Sequence, residues 1–248
     1  MTNISIKTVT ASQCDDNSVS VQPLTLRRFG IELRRMVSAD KEAVRIGRNK
    51  DFVRNNHVYR EIISEEAQDK WFEEMNRKEH YVLIISYKGK SIGVVILKDI
   101  PENIESSTCG AFIWDEEYIA TKIPILSVLM ALDFAYYTCG VKWMESVVLK
   151  HNIAAIKMNK FFGFTFHERD QDSFLITMDR ASYVQQRERL NWFAKRAVKN
   201  PDEHELHNDA YNRRRMRRDD RIVAKQVPDM QRQIARAQRG KSQSGAER

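Results

Sequence analysis

The spacing of apolar residues changes sharply near residue 80, and this change limits the fold more than any other feature of the chain. Over residues 64–76 the apolar side chains recur at helical spacing behind Ser64, a good helix N-cap. Residues 81–87 and 92–97 are instead two β-type runs, separated by Lys88-Gly89-Lys90. This arrangement predicts a β-hairpin. A helix followed by an antiparallel pair excludes an all-α or an all-β chain.

The remaining segments predict an α+β fold, in which a mixed, largely antiparallel central sheet is flanked by helices. A first strand is expected at 29–37, before a helix that begins at Ser38 or Asp40. The further expected elements are a strand at 106–114, an apolar core helix at 124–138, a strand at 141–149, a helix at 152–162 and a hairpin over 164–178. We therefore divide the chain into a mobile leader (1–28), one folded domain (29–180) and a basic, mostly helical or partly disordered extension (181–248).

The net positive charge of the chain comes from that extension. Residues 180–248 hold 18 Lys and Arg against 9 Asp and Glu, whereas residues 1–179 hold 23 against 25. The charge therefore does not predict nucleic-acid binding by the folded domain. Three interpretations of the extension stay open: a solvated helix, a docking or homodimer-forming helix built around Leu190, Trp192 and Phe193, or contact with RNA, the ribosome or an acidic membrane through 213–221.

Several classes of protein are not expected. The cysteines Cys14, Cys109 and Cys139 form no CxxC pair, which argues against a zinc site or any other bound metal. The N-terminus lacks the basic and apolar pattern of a signal peptide. The longest apolar run spans about 15 residues and contains Asp133, whereas a bilayer needs about 20. These features predict a cytoplasmic protein with reduced thiols and no membrane span.

The run NIAAIKMNKFFGF at 152–164 is the most specific motif in the chain. It resembles the N-x-x-A-x-x-x-(Y/N)-x-x-x-G-F motif late in the GNAT N-acetyltransferase fold, with Asn152, Ala155, Asn159 and Gly163 at pattern positions. Arg48-Asn49 and the segment 53–72 are similar to the branch with ribosomal-protein N-terminal acetyltransferases and the amino-sugar N-acetyltransferases of pseudaminic acid synthesis. The resemblance covers about 150 residues and leaves the extension outside it.

This resemblance implies acetyl-CoA as co-substrate and direct attack of an amine on the thioester. It implies a donor to the carbonyl oxygen from the strand that holds Phe112, Ile113 and Trp114. Asn152 is expected to hold the pantetheine or to cap its helix, or both. The family's glycine-rich phosphate loop falls at 116–124, which has no glycine. Thr121 as a cap and Lys122 as a phosphate partner are expected to replace part of its role.

Candidates for the remaining chemistry are few. Asn159 occupies the position where the family often has a tyrosine acid; its amide can hydrogen-bond sulfur but is not an acid. Glu145, a lone carboxylate in an apolar strand, is the first candidate for the general base, and His80 is the second. Both also have an interpretation as surface residues. Arg48 and Asn49 either face the acceptor or cap the end of their helix.

Three functional hypotheses follow from the resemblance. The first is acetyl transfer to a small-molecule amine, an amino sugar that is free or nucleotide-linked, in surface-glycan or flagellin-glycan synthesis. The second is acetylation of a protein N-terminus or lysine. The third is a non-catalytic GNAT-like binding protein, motivated by the missing glycines and the missing tyrosine.

Overall fold

The computed structural model describes residues 24–100 and 106–197. Its eight strands are β1 Thr25–Arg28, β2 Ile31–Arg35, β3 Tyr81–Tyr87, β4 Lys90–Lys98, β5 Ser106–Ile113, β6 Trp143–Leu149, β7 Thr165–Glu168 and β8 Ser173–Asp179. Its seven α-helices are α1 Lys41–Asn49, α2 Asp51–Arg54, α3 Glu65–Met75, α4 Glu116–Ile119, α5 Ile123–Asp133, α6 Ile153–Phe162 and α7 Arg180–Ala197. A 3-10 turn at Ser38–Asp40 precedes α1, and a π-helical turn at Phe134–Thr138 extends α5.

The strands form one sheet in the order β1-β2-β3-β4-β5-β6-β8-β7. Every neighbouring pair is antiparallel except β5 and β6, which are parallel. The predicted mixed, largely antiparallel α+β fold is therefore confirmed. The single parallel pair follows from the chain order, because a helical crossover connects β5 to β6.

Alternating side chains along the strands build a separate apolar core on each face of the sheet. One face packs against α5, α6 and α7, and the fully buried side chains of α5 confirm that this helix is core. The other face packs against α1, α2 and α3 through a smaller cluster that includes Val44, Met75 and Trp114. The site described below lies where both sets of helices meet the middle of the sheet.

The first strand begins earlier than expected. Residues 25–28, assigned to the leader from sequence, pair with β2 in a hairpin whose two turn residues, Phe29 and Gly30, both have positive φ. Such a turn matches the twist of a hairpin, but a phenylalanine in it gives little signal. The remaining predicted leader, 1–23, lies outside the described residues.

The C-terminal boundary also differs from expectation. Helix α7 starts at Arg180, where the folded domain was expected to end, yet it packs on the core. Tyr183, Leu190, Ala194 and Ala197 are buried on one side of this helix. The second charged segment of the extension, with its basic run at 213–221, lies outside the described residues. Within the described part of the chain, no helix is long and apolar enough to cross a bilayer.

Candidate active site

The central feature is a gap in the sheet between β5 and β6. Among the described residues, the two strands pair through three residue pairs, the last of which joins Thr108 and Glu145. Beyond that point β5 continues beside β4 to Ile113, whereas β6 continues beside β8 to Leu149. The strands therefore splay, and a wedge-shaped cleft opens toward their C-terminal ends. Along both walls, each strand directs backbone groups to which the other strand supplies no partner.

The register decides which backbone groups of β5 face the cleft. The N–H of Trp114 donates to the carbonyl of Ile92 on β4. Phe112 therefore also directs its N–H toward β4, because alternate residues of a strand bond to the same neighbour. Ala111 and Ile113 direct their N–H groups the other way, into the cleft. Of the residues named from sequence on this strand, Ile113 is in position to donate to a carbonyl oxygen, and Ala111 is in position as well.

The opposite wall of the cleft follows the same rule. The N–H of Lys150 donates to Asp172 across from β6, so the even-numbered residues of β6 bond toward β8. Val147 consequently directs its N–H and C=O into the cleft. A ligand arm with amide groups, such as pantetheine, can hydrogen-bond to both walls as an added strand does.

Two helices begin at the open end of the cleft. Helix α5 follows β5 through α4, and α6 follows β6 after a short turn. Since β5 and β6 are parallel, both N-termini lie at the same end. Asn152 caps α6, with its Oδ1 accepting from the N–H of Ala155 at 3.0 Å. Because a helix N-terminus carries partial positive charge, this end favours a phosphate group.

The glycine-free segment 116–124 folds into α4 and the first residues of α5. Thr121 is only 3% exposed. Its hydroxyl donates to the carbonyl of Tyr118 at 2.7 Å and accepts from the N–H of Ile123 at 3.2 Å. It therefore acts as a cap, engaged inside the segment. Lys122, at the N-cap position of α5, is the half-buried cation at this helix end.

A loop on the α1–α3 face touches both walls of the cleft; we call residues 55–63 the acceptor loop. The ring of His57 meets the ring of Phe112 on β5 edge-on, with centroids 5.3 Å apart. His151, just after β6, donates through Nε2 to the carbonyl of Asn55 at 3.0 Å. Because a carbonyl only accepts, Nε2 carries the proton here. The loop thus closes the cleft on the side where the acceptor amine is expected.

Arg48 and Asn49, at the end of α1, hold the acceptor loop. The amide of Asn49 donates to the carbonyl of Ile63 and accepts from the N–H of the same residue, both at 2.8 Å. Arg48 donates through Nη2 to the carbonyl of Tyr59 at 2.6 Å. Its Nη1 is buried and has no hydrogen-bond partner among the described residues. Asn49 therefore positions the loop, whereas Arg48 keeps one donor for a ligand.

Positive charge dominates this side of the cleft. Burial lowers the pKa of Arg48, and the nearby charge of Arg54 lowers it further. Burial, and then the charge of Arg48, lowers the pKa of His57 to about 4, so this ring is neutral at neutral pH. Arg54 bonds to the exposed Asp51 at 2.6 Å, while Lys50 donates to the carbonyl of Trp114 at 2.9 Å. An anionic ligand would compensate the excess charge.

Glu145 lies at the apex of the cleft, where β5 and β6 separate. It is paired with Thr108 on one side and with Thr177 on the other, and it is half-buried. The neighbouring β6 residues Met144 and Val148 belong to the core beneath α5. By strand alternation, the carboxylate of Glu145 therefore faces the same side of the sheet as the acceptor loop.

The structure does not bring His80 to this site. It precedes β3, two strands away from the gap, at the closed end of the cleft. Its Nδ1 accepts from the N–H of Asp99 at 3.2 Å. His80 is therefore better explained as a surface residue that fixes the turn after β4.

Among residues 24–100 and 106–197, the other side chains named from sequence include no reactive nucleophile. Asn159 donates through Nδ2 to the carbonyl of Ala155 in its own helix at 2.9 Å. Burial raises the pKa of the Cys109 thiol to about 12 and that of Cys139 to about 11. Neither thiol forms a thiolate at neutral pH, which suits direct attack by the amine on a thioester.

Sequence reasoning missed four residues of this site: His57, Lys50, Arg54 as a charged neighbour, and His151. No motif marks them, because each reaches the cleft through tertiary contacts. The one usable signal was the density of basic side chains in 45–60, a segment that also holds Arg48.

Comparison with protein families identifies a matching domain. Residues 31–165 match the family described as Acetyltransferase (GNAT) domain, which is more than half of the chain. A comparison with curated protein sequences finds no match.

Solved structures with the same fold include several acetyltransferases. A domain from Methanocaldococcus jannaschii has a TM-score of 0.54 at 19% identity and covers 60% of this chain and 97% of its own. Spermidine N-acetyltransferase from Vibrio cholerae, in complex with CoA and spermine, has 0.55 at 14%, covering 63% and 99%. FdhC, a nucleotide-linked sugar GNAT, has 0.56 at 21%, covering 65% and 93%. Likeness at these identities establishes the fold.

Proposed function

Since the chain belongs to the GNAT acetyltransferase family, we propose that this acetyl-CoA-dependent N-acetyltransferase acts on an amino sugar that carries an anionic group, such as a nucleoside diphosphate. Its place would be surface-glycan synthesis. The family membership argues against the hypothesis of a non-catalytic binding protein, so the proposal concerns the identity of the acceptor.

The buried, partnerless Nη1 of Arg48 is the observation that carries the proposal. A guanidinium held by one backbone carbonyl has donors left over, and a phosphate accepts such donors in pairs. The second guanidinium, of Arg54, also has a buried nitrogen, Nε, with no partner among the described residues. Arg54 has Asp51 as its counter-ion, whereas the half-buried Arg48 has no carboxylate partner among the described residues, so an anionic acceptor would gain affinity by supplying one.

The same charges argue against a polyamine acceptor. Spermidine is a polycation and would be repelled by Arg48 and Arg54. The charge of Arg54 already lowers the pKa of Arg48, and the charge of Arg48 lowers that of His57. One structural neighbour acts on spermidine and another is described as a nucleotide-linked sugar enzyme. The charge at the acceptor side favours the second kind of acceptor for this chain.

The cleft fits acetyl-CoA. The inward-facing backbone of Ala111, Ile113 and Val147 would hold the pantetheine amides, while Lys122 and the two helix N-termini would hold the diphosphate. Acetyl-CoA supplies an activated acetyl group as a thioester. The N–H of Ile113 or Ala111 would then stabilise the negative charge that develops on the carbonyl oxygen.

Glu145 is the proposed general base. It faces the acceptor side at the apex of the cleft, from where it can accept a proton from the acceptor ammonium, directly or through a water, so that the neutral amine attacks the thioester. Asn159 would contribute a hydrogen bond near the sulfur rather than a proton. Since Asn159 is not an acid, the CoA thiolate would leave without receiving a proton from this position.

An acceptor panel tests the proposal. Acetyl transfer is measured with a nucleoside-diphosphate-linked amino sugar, the same sugar without the nucleotide, spermidine and a peptide with a free N-terminus. The linked sugar should have the highest kcat/KM, and Arg48→Met should raise its KM about tenfold or more while leaving the unlinked sugar unaffected. A preference for spermidine, or equal loss with both sugars, would refute it.

Protein acetylation remains the second candidate. Val58, Tyr59 and Ile62 on the acceptor loop are 62%, 59% and 69% exposed, which is unusual for three apolar side chains on one short loop. They could pack against an apolar N-terminal residue of a peptide. In that case the peptide would have the highest kcat/KM of the panel, and Ile62→Ser would raise the KM for the peptide but not for the sugars.

A further inference from the structure

Helix α7 lies beyond the matched family region, which ends at residue 165. It contacts the C-terminal ends of both helices whose N-termini meet at the cleft. Helix α5 ends at Asp133 and α6 ends at Phe162. Both helices start at the open end of the cleft, so their C-terminal ends lie away from it. A helix that contacts both of these ends is in a position to set how far apart the two starts are held.

The contact with α5 is a buried ion cluster at Asp133, a residue 2% exposed. Arg187 of α7 donates to the Asp133 carboxylate through Nε at 2.5 Å and through Nη2 at 2.6 Å. The hydroxyl of Tyr183 donates to the same carboxylate at 2.7 Å, and Arg28 of β1 donates at 3.1 Å. Burial raises the pKa of Tyr183, so this hydroxyl keeps its proton. The bidentate geometry fixes direction as well as distance.

The contact with α6 is close packing at its C-terminal cap. Gly163 has φ +92°, and a Cβ there would lie 2.6 Å from Cγ of Gln186 on α7. Two residues before Gly163, the ring of Phe161 meets the ring of Phe193 on α7 edge-on, with centroids 5.1 Å apart. Between these contacts Leu190 is fully buried. The two helices therefore approach too closely to slide without repacking.

From these contacts we infer that α7 is a brace that sets the spacing of the α5 and α6 N-termini, and that Arg187 is a positioning residue for acetyl-CoA binding. Helices transmit a displacement at one end to the other, and a rise of about 1.5 Å per residue puts the α5 N-terminus roughly 16 Å from Asp133. Releasing Asp133 would let α5 tilt against α6. The diphosphate site that both helices complete would then lose its geometry, while Glu145 and the acceptor loop would stay in place.

The test measures CoA binding by isothermal titration, together with kcat and KM for acetyl-CoA. Arg187→Met keeps the side-chain length and removes the charge. Asp133→Leu combined with Arg187→Met removes the two most deeply buried charges and leaves only Arg28, whose side chain is 22% exposed, without its carboxylate, so we expect it to fold if the single variant does not. Arg187→Lys keeps the positive charge but cannot make the two parallel hydrogen bonds of the guanidinium to Asp133. Met75→Ala, in the separate core beneath α3, is the control for loss of stability alone.

We expect the Kd for CoA to rise about tenfold in Arg187→Met and in the double variant, with kcat at saturating acetyl-CoA nearly unchanged. Arg187→Lys should be intermediate, and Met75→Ala should bind CoA normally at temperatures where it is folded. The inference is wrong if CoA affinity is unchanged in folded variants of Arg187, or if Met75→Ala weakens it equally. Because the readout is CoA binding, neither result depends on the identity of the acceptor.

Discussion

The side-chain amide of Asn49 pairs in both directions with the backbone of Ile63, fourteen residues later, through two hydrogen bonds of 2.8 Å. This pair closes the acceptor loop onto α1. The sequence suggested that Asn49 faces the acceptor or caps its helix; in the structure it holds the loop that carries His57 and the carbonyl of Tyr59 that binds Arg48.

Replacing Asn49 should therefore affect one substrate only. Asn49→Ala leaves the backbone of Ile63 without two partners, and we expect a loss of about 1–3 kcal/mol in the free energy of unfolding. The KM for the acceptor should rise several-fold, while the Kd for CoA should stay the same. Asp170→Ala, which removes comparable hydrogen bonds from the β7–β8 turn, is the matched control. A rise in the Kd for CoA would contradict this role.

Glu145→Gln should lower kcat about a hundredfold or more at neutral pH, because the amine must lose a proton before it attacks. The defect should shrink as pH rises toward the pKa of the acceptor amine, where solvent removes that proton. Initial rates from pH 6 to pH 10 check this, with CoA binding as the control for an intact cleft. A defect of constant size across the range would mean that Glu145 acts in some way other than proton transfer.

The stability of the protein should fall on mild acidification because of His57. Its pKa is about 4 in the folded chain and about 6.5 when unfolded, so between these values the unfolded chain binds more protons. The contribution of this histidine is fully present above pH 6.5 and is lost as the pH falls toward 4. Between pH 7 and pH 5 the free energy of unfolding should drop by about 2 kcal/mol from this group.

Denaturant titrations at both pH values measure that difference in the wild type and in His57→Gln. The variant should lose about 2 kcal/mol less between the two pH values than the wild type does. An equal loss in both proteins would show that other groups titrate in this window.

Lys122→Glu should weaken CoA binding about tenfold, because it places a negative charge at the α5 N-terminus where the diphosphate is expected. Lys157→Glu, on an exposed position of α6, is the matched charge reversal. The difference in Kd for CoA between the two variants should become smaller at high salt, since salt screens charge–charge interactions. Equal affinities at low salt would mean that the diphosphate lies elsewhere.

Periodicity was enough to predict β3, β4, β5 and the helices that flank them, because each of these carries a local pattern. Gly163 was named from the motif rather than from periodicity, and in the structure it caps the C-terminus of α6, where its N–H bonds to Lys160. Strand β1 was missed because its turn uses a phenylalanine at positive φ. The cleft itself could not be predicted from local pattern, since it depends on where the β5–β6 pairing stops.

The site residues divide in the same way. Asn152 is recognisable because the motif and the capping role coincide at one position. His57 and Lys50 are not, because a contact with Phe112 or Trp114 links distant parts of the chain. Arg187 is the extreme case: its partner Asp133 lies 54 residues away and was noted in the sequence only as a polar interruption in an apolar run.

Three residue pairs join β5 and β6 in the described part of the chain, so the two halves of the sheet meet along a short seam. A pantetheine arm bonded to both walls would lengthen that seam and make one continuous sheet from β1 to β7. The co-substrate would then also be a structural component of the protein. In each turnover, its binding would join the two halves of the sheet by hydrogen bonds, and its release would separate them again. Amide hydrogen exchange in the residues beside the cleft should report this cycle directly, slowing when CoA is added and recovering when it is removed.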